Sequence, residues 1–113
     1  MRPLIPNFFT STTNEIDGYR VQSQFGVVRG IAVRSRGAIG TFGAKLQTIF
    51  GGDISLLAEL CERSRAEAFE LAVKHAEDLG ANGLIALRYD ANEVMAGVTE
   101  VLCYGTAVKV VPV

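Results

Sequence analysis

The chain has 113 residues, 49% of them apolar and 20% charged, with a net charge of −1. That composition excludes intrinsic disorder, leaves room for one domain with its own core, and supplies no net attraction for nucleic acid or an acidic membrane surface. The first residues, Met1 to Phe9, lack the apolar core of a secretory signal, no apolar run approaches the roughly 20 residues of a membrane span, and Cys61 and Cys103 are too few for a disulfide framework. A single cytoplasmic domain over residues 1–113, with no nucleic-acid or membrane partner, is the expectation.

Phe8 to Thr13 reads as a short strand, followed by a turn over Asn14 to Gly18 in which Gly18 supplies a positive φ. Tyr19 to Arg34 is a long strand. Its odd positions run Tyr19, Val21, Ser23, Phe25, Val27, Ile31, Val33, which is period two. Its even positions begin polar (Arg20, Gln22, Gln24) and turn into Gly26, Val28, Gly30 and Ala32. The second half is therefore small or apolar on both faces, whereas a half-solvated antiparallel strand stays polar on one.

Glycines at 37, 40, 43, 51 and 52 punctuate the next segment, where Thr41 to Phe50 fits a short helix capped by Thr41 and closed by Gly51. The Gly37-x-x-Gly40-x-x-Gly43 spacing matches neither a dinucleotide nor a Walker loop, so a connection is the better reading than a phosphate cradle. A long helix then starts at Asp53 or Ser55 and stops at Gly80. At 100° per residue Leu57, Cys61, Ser64, Ala68, Ala72 and Leu79 share one stripe, flanked by Leu60, Phe69, Leu71 and Ala76, with Glu59, Glu62, Arg63, Glu70, Lys74 and Glu77 opposite. The small residues at every fourth position from Ser64 to Ala76 let the helix lie close on a sheet. One face of that sheet remains to be covered.

Leu84 to Tyr89 and Glu100 to Val108 form a terminal hairpin, apolar or small on both faces, with Gly105 inside a strand. Glycine weakens a strand unless a bulge or a close backbone approach requires it. A two-layer domain of this size cannot bury both faces of such a hairpin, which points to a subunit that completes its core with copies of itself. Charge is uneven too: residues 18–52 carry five cations and no acid (+5), and residues 53–80 carry seven acids and three bases (−4). A solvated helix face and a basic strand account for this, and complementarity between neighbouring subunits is the sharper reading.

The chemical candidates are few. Cys61, His75 and Cys103 could serve a soft metal ion, yet Cys61 and His75 lie fourteen residues apart on one helix, about 21 Å of rise. Cys61 falls on the apolar stripe and Cys103 in mid-strand, so both read as packing residues; only symmetry could multiply Cys103 into a ligand set. His75 at the border of the stripe has no nucleophile beside it in sequence, and the paired carboxylates sit on the solvated helix face. No catalytic, cofactor-binding or metal-binding residue is assigned, and no cofactor.

Taken in order, Thr12-Thr13, Gly18-Tyr19-x-Val21, Gly26-Val27-Val28-x-Gly30, Gly51-Gly52, Ala66-x-Ala68, Leu79-Gly80-Ala81-Asn82 and Glu100-Val101-Leu102-x-Tyr104-Gly105-Thr106-Ala107-Val108 resemble the YbjQ-like family of small bacterial proteins. The resemblance spans about residues 10 to 110. It implies an α+β, dodecin-like subunit that closes a ring with copies of itself, a pentamer being the expected ring, and it carries a heavy-metal-binding description. None of the matched motifs contains a cysteine or a histidine. The joint expectation is an antiparallel sheet with one long helix on one face and the other face buried between subunits. Its function would be that of a non-enzymatic homo-oligomer, a small-ligand-binding or assembly module, the alternative being heavy-metal binding through symmetry-related Cys103.

Overall fold

In the computed structural model, which describes residues 8–35 and 55–113, four strands and one helix follow in the order β1 (Phe9–Thr10), β2 (Tyr19–Ser35), α1 (Ser55–Asp78), β3 (Gly83–Met95) and β4 (Val98–Pro112). The glycine-punctuated segment, the expected helix at 41–50 and the Asp53 cap lie outside the described residues. The sheet order is β1-β3-β4-β2. β4 runs antiparallel to both its neighbours, but β1 pairs parallel to β3, Phe9 opposite Gly83 and Thr10 opposite Leu84. The sheet is thus mixed, a correction to the antiparallel expectation. Alternation in sequence reports which residues share a face and is blind to strand direction.

β1 is shorter than the expected 8–13 strand because β3 bulges where it would continue. Ala86 stands in the left-handed region at φ 53°, and β3 shifts register between Ile85 and Arg88. The bulge turns the Ala86 and Leu87 amides outward, where they donate to the carbonyls of Thr13 (2.8 Å) and Ser11 (3.0 Å). Gly105 is the β4 residue facing this bulge. A Cβ there would stand 2.8 Å from the Ile85 carbonyl oxygen, so the backbone approach argued from the sequence is present.

α1 ends as expected. Gly80 adopts φ 91°, the Gly80 amide donates to the Glu77 carbonyl and the Ala81 amide to that of Ala76, which is a Schellman closure. Asn82 then ties the turn to β4 as a backbone mimic: its Nδ2 donates to the Val110 carbonyl (3.0 Å) and its Oδ1 accepts the Val110 amide (2.8 Å).

The helix buries Ser64, Ala68, Ala72, Val73 and Ala76 against Val28, Ala32, Leu84, Leu87, Val101, Cys103 and Ala107. Gly30 is the point of closest approach, where an added Cβ would run into the Ala68 carbonyl and lie 2.5 Å from the Ala72 nitrogen. The small residues of β2 at positions 28, 30 and 32 are therefore the seat of α1, and the small stripe of the helix is its counterpart. Cys61 and Leu79, placed on that stripe from periodicity, are exposed. At the Cys61 end a cavity of about 220 Å³ opens between α1 and the sheet, lined by Leu60, Cys61, Ser64, Ala91, Thr99 and Val101 among others.

The opposite face is covered at one end only. Ile85, Val108 and Val110 pack there under Phe9, Ile16 and Tyr19, with the Phe9 and Tyr19 rings 4.5 Å apart. Beyond them no described residue covers the face.

Candidate functional site

The two thiols and the imidazole occupy three unlike environments. Cys103 is fully buried (0% exposed) beneath α1, opposite Gly30 on β2 and Tyr89 on β3. Burial pushes its thiol up to about 11, with the Tyr89 side chain acting in the opposite sense. Burial also raises the Tyr89 hydroxyl, and the neighbouring Cys103 adds to that shift. At neutral pH Cys103 is a protonated core residue, whereas metal binding and nucleophilic attack both use the thiolate. Cys103 is covered by the helix of its own chain, which weighs against its thiolate serving as a metal ligand.

Cys61 is exposed on α1. His75 sits near the far end of the same helix, its Nδ1 2.6 Å from the Arg29 carbonyl oxygen. A carbonyl only accepts, so Nδ1 carries the hydrogen and Nε2 is left to face outward. The three side chains are not brought together. Among the described residues, no group of three or more His, Cys, Asp or Glu side chains is placed to hold an ion. The described donor set does not fit a heavy-metal centre.

The open sheet face is the more distinctive surface. Strand pairing lines up rows across it: Arg29, Tyr104 and Arg88 in one, and Ile31, Leu102 and Asp90 in the next. Val27 (71% exposed) and Val33 (53%) extend the β2 side of these rows, with Ile31 and Phe25 also exposed on β2. The side chains of Val28 and Ala32 point to α1, so those of Val27, Ile31 and Val33 point away from it. Isolated exposed apolar residues are ordinary in soluble proteins, whereas here Val27, Ile31 and Val33 share one sheet face, interrupted by Arg29. Period-two patterning revealed these residues; which of the two apolar faces α1 would take was not readable from it. Among the described residues no helix is long and apolar enough to cross a membrane.

Sheet and helix define the class: an α+β chain with a four-stranded mixed sheet and one helix, whose second sheet face is largely uncovered among the described residues. The chain belongs to the YbjQ-like family, described as "Putative heavy-metal-binding", whose model matches residues 8–111. It is 57% identical over 109 residues to a UPF0145 protein of Solibacter usitatus, covering 96% of this chain and 97% of that one. A UPF0145 protein of Burkholderia thailandensis is 54% identical over 101 residues, 89% of this chain and 91% of the other. Among solved structures, a Pediococcus pentosaceus protein of unknown function from the DUF74 family superposes with a TM-score of 0.60 at 19% identity, over 94% of this chain and 100% of that chain. At that identity the likeness concerns the fold alone.

Proposed function

We propose that the protein is a non-enzymatic assembly module, a dodecin-like subunit that closes a homo-oligomeric ring, with five copies the expected number. The observation that carries this reading is the row of exposed Val27, Ile31 and Val33 on the sheet face that α1 does not cover. Burial of apolar surface contributes roughly 25 cal/mol per Å², and obligate self-association commonly covers more than about 2,000 Å², so a second copy is the economical cover. A cytoplasmic setting belongs to the same proposal and is supported by the exposed free thiol of Cys61. The alternative of a metal held by Cys103 from several copies has the burial of that thiol against it.

The test is a pair of charged substitutions on the open face, Val27→Asp and Ile31→Asp, which leave the seat of α1 untouched. The assembly reading expects far-UV circular dichroism to stay native while the mass by light scattering falls toward that of one chain. A variant that keeps the mass of the wild-type assembly would overturn it.

A further inference from the structure

The strand order leaves two long edges without a partner among the described residues. β2 is an edge strand along its whole length, and β3 is paired by β1 only at Gly83 and Leu84, with bulge bonds as far as Leu87. From Arg88 to Met95 its outer side has no strand partner among the described residues. Neither stretch contains a proline, and both expose apolar side chains, among them Val33 on β2 and Val94 (55% exposed) on β3. Long unprotected edges are templates for pairing with another chain, and proteins normally block them.

Direction, charge and register select one occupant. Since β2 and β3 are each antiparallel to β4, they are parallel to one another. A second copy set beside the first with its helix on the same side therefore presents β3 to β2 in parallel. β2 carries Arg20, Arg29 and Arg34 and no acid, Arg34 being paired with Glu67 of α1 (2.6 Å), while the stretch of β3 from Arg88 to Met95 carries Asp90 and Glu93. Its one base, Arg88, is turned onto the Thr12 and Leu87 carbonyls at 2.7 and 2.9 Å.

Arg29 and Asp90 form no ion pair within the described residues, and both point to the open face, in adjacent rows. With no stagger, Arg29 would meet Arg88 of the next copy. A stagger of two residues puts Arg29 opposite Asp90 and Ile31 opposite Asn92, and an even shift keeps every side chain on its own face. A sheet that closes on itself requires such a stagger.

We propose that the free edge of β2 pairs in parallel with the free edge of β3 of a second copy, Arg29 standing opposite Asp90 of the partner subunit. Such a contact joins two different surfaces, so repetition runs beyond a dimer and closes a ring where the rotation between copies allows it. This rests on the assembly reading above and adds an edge contact between copies to the cover of the open face.

Two experiments test it. In the first, Arg29→Asp and Asp90→Arg are measured singly and together by light scattering over a dilution series. Each single reversal should raise the concentration for half-dissociation at least tenfold, and the double variant should restore it. In the second, Ile31→Cys and Asn92→Cys are combined in a Cys61→Ser background and treated with a short bifunctional thiol reagent. The expected product is a ladder of covalent dimers, trimers and higher species, with neither single cysteine giving one. An assembled wild type with no coupling between positions 29 and 90, or cross-linking that stops at dimers, overturns the edge pairing and leaves the assembly reading standing. A monomeric wild type overturns both.

Discussion

Gly30 lies directly beneath the Ala68–Ala72 turn of α1, so close that a methyl group at position 30 would meet helix backbone rather than a movable side chain. Backbone cannot rotate aside. Gly30→Ala must lift the helix from the sheet and loosen the contacts of Val28, Ala32 and Cys103 with Ala68, Ala72 and Ala76. Overpacking of this kind costs about 1–3 kcal/mol or more. Urea unfolding should show a lower midpoint for Gly30→Ala, and an unchanged midpoint would show that the helix seat is not set by this contact.

Gly105 makes the equivalent demand on the other side of β4. A side chain there would press on the Ile85 carbonyl, the Leu84 side chain and the Leu87 backbone, which together form the β3 bulge. Gly105→Val should lower the melting temperature by more than Gly30→Ala does, because a branched side chain adds volume where the bulge amides are already committed to Ser11 and Thr13. Thermal unfolding by circular dichroism checks this. A Gly105→Val protein that melts with the wild type would mean that the bulge yields freely.

Much of this was legible in the sequence, and for identifiable reasons. Ser64, Ala68, Ala72 and Ala76 repeat at helical spacing and are small, so the buried helix stripe was readable; Val73, also buried, falls beside that stripe and was missed. Gly80 as the helix stop and Gly105 as a close approach follow from what glycine alone can do. The sequence did not disclose that β3 runs on to Met95. Asp90-Ala91-Asn92-Glu93 has the composition of a loop, and only pairing with residues 99–102 of β4 holds it extended. Parallel β1 was hidden for a similar reason, since its two residues depend wholly on a partner far along the chain. Exposed Cys61 eluded periodicity because the cavity at that end separates the helix from the sheet.

The thiols should separate cleanly in reactivity and in pH dependence. A thiol-specific chromogenic reagent should titrate one cysteine quickly in the native protein, Cys61, and both after unfolding. The folded Cys103 thiol lies at about 11, raised from 9.0. The unfolded chain therefore loses this proton first, and the stability associated with the neutral thiol is complete below pH 9 and declines as pH rises through 11. The loss is on the order of 2 kcal/mol. Cys103→Ala should reduce that alkaline dependence, the part owed to the burial of Tyr89 remaining, while lowering stability at pH 7 through the cavity it leaves. Fast reaction of both thiols in the native state, or an identical alkaline slope in Cys103→Ala, would contradict a sealed Cys103.

Whether the open face is covered by copies of the same chain decides the account, and the direct measurement is the mass of the purified protein by light scattering at micromolar concentration. One chain weighs 12.1 kDa. A single monodisperse species at an integral multiple of that mass, five-fold for the expected ring, is the predicted result, and a monodisperse monomer of 12.1 kDa would contradict it.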